Sequence, residues 1–331
     1  MIATIPMLNP MISAVLALVG ALLYGAADFF GGVAAKRLRS IVVTAVAGLS
    51  GLIALAIALP LVGGVWTLAD MAWGALAGLF GLIAVALLYA CLAVGPMSIL
   101  SPLTAVISAI APMLWGLLID GETLSPVAYA GLGVALVAVV LVGFIPGEKV
   151  VRPSARGLLM AVGAGAAIGG FLIVLDQTAT DSGLVPLVMS RATTVVVTSA
   201  IVAGLAMVAV RRGLAAASVL TPAGTSVGAT PSGHADLEHA STGATAVPQP
   251  ASPVARAWWL AIVCGVVDAA ANVLLLVALR GGELSIVSAL TALYPAGTIL
   301  LAAIVLRERV AGIQWLGLAL ALVAGGMLAL G

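Results

Sequence analysis

Asp268 is the side chain whose position most needs a chemical reason. It lies eleven residues into an apolar run, 257–279, about 16 Å along a helical path of about 34 Å. An ionisable group at mid-bilayer costs roughly 2.5–3.5 kcal/mol on insertion scales, so it is retained either for a ligand or as a protonated carboxyl hydrogen-bonded to a neighbouring helix. Asn272 stands at i+4 on the same helical face and can share a ligand or a proton with it. Arg191 sits six residues into another run, roughly 9 Å deep. Its planar fork suits a carboxylate or phosphate; it can grip an anionic solute, pair with Asp176 or Asp181 just before its helix, or snorkel to the interface. Asp28, about 8 Å from the end of the first run, can form a proton or ion site or pair with Lys36 and Arg37. Tyr24, Tyr89 and Tyr294 each offer an apolar face and a hydroxyl, for a cavity wall or for the membrane interface. Pro295 lacks an N–H and marks a kink or hinge in its helix.

Other chemistries lack their residues. The only histidines, His234 and His239, lie in a polar stretch without the spacing or partners of a metal site. Cys91 and Cys264 fall inside apolar runs, so no disulfide framework is expected. No DDxxD or HExxH cluster and no GxxxxGK[ST] loop occurs, which argues against metal-assisted catalysis and ATP-driven transport by this chain. Neither a metal nor a cofactor is expected. A net charge of +1 proposes no nucleic-acid partner.

The elements that carry these residues follow from composition. Of 331 residues, 63% are hydrophobic and 8% charged, against about 45–50% and about 25% in soluble domains. Such a chain cannot cover a water-facing surface, which excludes a soluble α/β enzyme. Runs of about 20 apolar residues predict ten spanning helices. They are 11–33, 41–64, 71–93, 98–119, 126–146, 157–177, 185–210, 257–279, 284–306 and 312–330. The first run has no basic lead-in and is expected to remain as a helix rather than to be cleaved as a signal peptide. Residues 211–256, rich in Ala, Ser, Thr, Gly and Pro, predict a disordered linker inserted in a loop.

Charge asymmetry sets the expected orientation. The odd-numbered loops hold Lys36, Arg37, Arg39, Lys149, Arg152, Arg156, Arg211, Arg212, Arg256, Arg307 and Arg309, whereas the even loops hold only Arg280. By the positive-inside rule the odd loops and the linker face the cytoplasm and both termini face outward. A multi-pass protein of the cell membrane is expected.

The chain also repeats itself. Ser98–Ala105 (SILSPLTA) aligns with Ser285–Ala292 (SIVSALTA), and Gly131–Ala138 (GLGVALVA) with Gly317–Ala324 (GLALALVA). Gly95 then pairs with Gly282, and Glu122 with Glu308. Two copies of five helices, 1–150 and 151–331, must insert with opposite orientation because five crossings separate them. Inverted repeats let one scaffold open to either side around a midplane site. Glu122 and Glu308, each before the last helix of its half, read as carboxylates favourable near a helix N-terminus. Gly74/Gly78, Ala161/Gly165/Gly169 and Gly317/Ala321/Gly325 read as close helix contacts.

These features resemble the EamA-type transporters of the drug/metabolite transporter superfamily. The resemblance rests on Gly20-Ala21-Leu22-Leu23-Tyr24-Gly25 leading to Lys36, and on Tyr89-Ala90-Cys91-Leu92-Ala93 before Gly95. The second half adds Leu293-Tyr294-Pro295, Glu308 and Gln314-Trp315-Leu316-Gly317. It spans nearly the whole chain except 211–256. The first half departs from it: Ser108 stands where Pro295 is matched, and Pro112 follows instead. The resemblance implies an all-α polytopic membrane protein of ten helices in two five-helix halves. The function expected is secondary transport of a small organic metabolite or drug-like solute by alternating access, driven by a proton or ion gradient or by exchange. A membrane-embedded enzyme acting on a lipid or prenyl substrate and a passive facilitator are the competing readings. The expected partners are that solute and the bilayer; the sequence fixes no oligomeric state.

Overall fold

The computed structural model describes residues 10–35, 37–94, 97–143, 154–220, 254–306 and 311–330. Their elements are helices and turns, with no strand among the described residues. In chain order the helices are α1 (Pro10–Ala35), α2 (Ser40–Val62), α3 (Leu68–Val94), α4 (Met97–Leu118), α5 (Pro126–Gly143) and α6 (Ala155–Asp176). There follow α7 (Val185–Arg211), α8 (Val254–Gly281), α9 (Leu284–Thr291), α10 (Tyr294–Leu301) and α11 (Gly312–Leu330). By length and composition, nine spans among the described residues suit a membrane crossing, and Leu103–Leu118 adds a shorter apolar helix.

Local chemistry sets the helix ends. Ser154 accepts a hydrogen bond from Gly157 N–H at 3.1 Å, and Ser125 one from Ala128 N–H at 3.1 Å, so each caps the helix that follows. Thr67 opens α3 reciprocally: its Oγ1 accepts from Asp70 N–H (3.0 Å) and donates to Asp70 Oδ2 (2.5 Å). The run 284–306, expected as one helix, is broken at Ala292–Leu293, and Pro295 stands second in α10, where its missing N–H costs no helical bond. A π-helical turn, Ala302–Leu306, ends the crossing.

The linker expected over 211–256 is corrected at both ends. Ala216–Val219 form a 3-10 turn, Val219 is buried, and Leu220 O accepts from Arg39 N–H at 2.9 Å. The helix α8 begins at Val254, because Val254, Ala257, Trp258 and Ala261 already continue its helical pattern. The remaining linker residues, with His234 and His239, lie outside the described residues, as do Lys36, Pro96, Pro146, Glu308 and Gly331.

The outer faces are apolar: Ile57, Leu61, Leu159 and Leu322 are each exposed by about two-thirds or more. Exposed Trp66, Trp73 and Trp115 lie toward the even-loop ends of the bundle, and Trp259 and Trp315 toward the odd-loop ends. Apolar walls between two tryptophan belts fit a bilayer and its interfaces.

Inside, the helices pair in a regular way. Helix α1 packs on α8 as α6 packs on α3; α2 packs on α8 as α7 packs on α3. The broken helix α9–α10 lies against α1 as α4 lies against α6, and α2·α7, α4·α9 and α5·α11 pair as well. Exchanging α1–α5 for α6–α11, with α9–α10 counted as one helix, maps these main pairs onto themselves. Glycines make the crossings close. A Cβ on Gly265 would overlap Ala47 O of α2, and one on Gly25 would stand 2.5 Å from Thr298 N and 2.7 Å from Gly297 Cα. Gly74 and Gly78 meet Pro186 and Ser190 of α7, Gly165 meets Thr104 of α4, and Gly317 meets Val142 of α5.

Candidate functional site

A cavity of about 130 Å³ lies between α1, α2, α3, α6, α7, α8, α9 and α10. Asp268 lies near the middle of α8, about 21 Å from its first residue and about 20 Å from its last. Its carboxylate Oδ2 accepts a charge-assisted hydrogen bond from Arg191 Nη2. Asn272, one turn on, donates from Nδ2 to Asp268 O at 2.7 Å and to Oδ2 at 3.4 Å. Both side chains of the ion pair retain a little exposure, 14% for Arg191 and 8% for Asp268, and both line the cavity. The pair leaves that end of the cavity neutral. In a low-dielectric interior, neutrality is what makes such a site tolerable.

The cavity joins five of the residues expected from sequence: Tyr24, Arg191, Asp268, Asn272 and Tyr294. Tyr24 brings a buried hydroxyl that has no hydrogen-bond partner among the described residues. Thr298 Oγ1 donates to Gly25 O at 3.1 Å, tying α10 to α1 beside Tyr24 and Tyr294. Asp28 is buried at 2% exposure on α1, one turn from Tyr24, and is not among the residues that line the cavity. Tyr89 falls in α3, but its side chain lies outside the described residues.

Two expectations are corrected. Arg191 pairs with Asp268, not with Asp176 or Asp181: α7 and α8 both line the central cavity, and the long side chain points inward rather than back to its own loop. Glu122 does not serve the helix that follows it. Its Oε1 and Oε2 accept from Leu284 N–H (2.6 Å) and Ser285 N–H (3.1 Å), capping α9 of the other half. Glu283, the residue preceding α9, makes no side-chain cap of its own, so these N–H groups are free for Glu122. Burial, and then the nearby charge of Glu122, hold the Glu283 carboxyl above its ordinary value.

The Glu122 contact belongs to a clasp on the even-loop face. Val65 N–H donates to Asp181 O (2.9 Å) and Leu184 N–H to Gly63 O (3.3 Å), stitching the loop after α2 to the loop after α6. Asp70 uses its second oxygen to accept from Ala179 N–H at 2.8 Å. Arg280 braces the same loop, donating from Nη2 to Ser182 Oγ (2.9 Å) and Gly183 O (2.8 Å). Gly183 is required there: its φ is +54°, and a Cβ would overlap Gly63 O. Opposite, the described residues offer the Arg39–Leu220 backbone bond and Gln314 Nε2 donating to Val142 O at 3.5 Å.

Sequence reading missed Ser190, Thr194, Thr44, Phe171 and Thr291 on the wall, and the whole clasp. Thr194 stands at i+3 from Arg191 and Ser190 one turn before Thr194, so helical periodicity followed from Arg191 through Thr194 would have found both. The Thr67–Asp70 spacing marks a helix start locally, but nothing local marks Asp70's second partner, Ala179, 109 residues away.

Comparison with known proteins adds three findings. No curated protein matches the sequence. A solved crystal structure of a protein is similar in fold, with a TM-score of 0.64 and 15% identity, covering 95% of this chain and 97% of that one. Residues 190–330, from within α7 to the end of α11, match the model of the EamA-like transporter family. Over that span the chain is similar to the EamA-like transporters, a family of the drug/metabolite transporter superfamily.

Proposed function

We propose that the protein is a secondary transporter that carries a small organic solute across the cell membrane by alternating access. One observation carries this reading: a mid-membrane cavity holding a buried ion pair, with a hydrogen-bonded clasp across one face of the bundle. An open pore needs no clasp, and an enzyme of this kind would want clustered carboxylates or a nucleophile with a base. The units that move against each other are 1–150 and 151–331, arranged as inverted repeats. The self-mapping of the helix pairs supports this division. Because the sequence holds no GxxxxGK[ST] loop, a proton or ion gradient, or exchange, supplies the drive.

The odd-loop face is cytoplasmic, from its Lys and Arg, and both termini are outside. The clasp then closes the outer side, and the cavity is reached from the cytoplasm. Cys264, which lines the cavity, is a built-in reporter. In a Cys91→Ser background, an impermeant maleimide should label Cys264 from the cytoplasmic side. Breaking the clasp with Glu122→Ala and Asp70→Ala together should shift labelling to the outside. Equal labelling from both sides of the unaltered protein would mean a continuous pore, and would overturn the reading.

A further inference from the structure

We propose that the solute is a singly charged organic anion with a compact apolar body, a monocarboxylate. It binds by taking Arg191 from Asp268, which then carries a proton. This rests on the transporter reading above and names its substrate class.

Among the described residues that line the cavity, Arg191 is the one cation and Asp268 the one carboxylate. The guanidinium is a planar fork of five donors, and Asp268 engages it through Nη2. An incoming carboxylate is therefore the chemical equal of the group it displaces. Tyr24 supplies the second contact: its buried hydroxyl has no partner among the described residues, and it lines the same cavity. Beyond these polar groups the wall is Leu82, Val85, Ile168, Phe171, Leu172 and Leu275, which suits an apolar body. A dianion would leave surplus charge against a single guanidinium, and an organic cation that took Asp268 would strand Arg191, which cannot shed its charge.

Charge balance then requires the proton. An anion entering alone would put two carboxylates beside one guanidinium in a low-dielectric cavity, which disfavours the charged form of the one left unpaired. Asp268 is that group. It keeps Asn272 Nδ2 at 3.4 Å and gains an O–H bond. In sum, one solute carboxylate and one proton enter, the solute pairs with Arg191, and the site stays neutral. The groups facing Asp268 are Arg191 from α7, Tyr24 from α1, Tyr294 from α10, and Cys264 and Asn272 on its own helix. Asp28, one turn from Tyr24 on α1, is buried as well.

The test is titration calorimetry of the purified full-length protein with benzoate, in two buffers of different ionisation enthalpy, at mildly acidic and mildly basic pH. Benzoate should bind and benzamide should not, with one proton taken up per benzoate. Affinity should rise about tenfold for each unit that the pH falls. Asp268→Asn should bind benzoate without proton uptake or pH dependence, and Arg191→Gln should lose at least about tenfold in affinity. Benzoate binding without proton uptake by the unaltered protein, equal binding of benzamide, or no binding of benzoate would overturn the proposal. The proton count on the unaltered protein decides the matter even where a variant fails to fold. Solute flux with side-specific Cys264 labelling, in a protein that ignores benzoate, would sink the anion assignment and leave the transporter standing.

Discussion

In the proposed transporter, Arg191 and Asp268 serve both the packing of the bundle and the binding of solute, which a single substitution cannot separate. Removing either partner leaves a buried charge uncompensated, a loss of about 3–5 kcal/mol, whereas replacing both with apolar groups is often nearly neutral. Arg191→Leu and Asp268→Leu should therefore each lower the thermal midpoint of the purified protein. The double variant should recover most of that loss and still carry no solute. A double variant as unstable as the worse single one would show that the ion pair is not the coupled unit described here. The identity of Asp268, Asn272 and Arg191 as candidates was legible in the sequence, because polar groups within apolar runs are costly enough to need a reason. Their pairing was not, since an arginine can reach several carboxylates and only helix packing selects one.

At the scale of the helix, glycines decide how closely the elements approach. Gly265 faces Ala47 O and Ser50 of α2, so Gly265→Ala must push α8 from α2, at a cost of about 1–3 kcal/mol. Gly133 on α5 has nothing within 4 Å of its added Cβ. There Gly133→Ala should leave stability unchanged or raise it by up to about 1 kcal/mol, through helix propensity alone. Thermal unfolding of the two variants side by side tests this; equal destabilisation would contradict the packing. The ten apolar runs and the interruption near Pro295 were readable locally, since length, hydropathy and a missing N–H act within one segment. The Glu122 cap on α9 was not. The carboxylate serves a helix 162 residues away, and its own neighbourhood suggested the helix that follows it.

For the whole molecule, the clasp predicts that locking one face stops the cycle. Residues 65 and 181 are joined by a backbone hydrogen bond, which brings their Cα atoms within the range a disulfide can span. Val65→Cys with Asp181→Cys should, when oxidised, abolish solute flux while Cys264 still labels from the odd-loop side. Reduction should restore flux. Flux that survives oxidation would mean that this face need not open. The prediction belongs at this scale because the clasp draws on loops from both halves, and no part of it closes the face by itself.

By itself, the sequence determined a helical membrane protein, its helix boundaries to within a few residues, a repeated pattern and a short set of polar candidates. Each of these follows from interactions within one segment or from the bilayer as solvent. The tertiary structure alone decided which candidates meet, which carboxylate holds Arg191, which helix Glu122 caps and which loops the even-loop clasp joins. Those outcomes depend on the approach of helices far apart in the chain. In the bilayer core, close approach is governed by small-residue packing and hydrogen bonds rather than by a hydrophobic pattern written along the sequence.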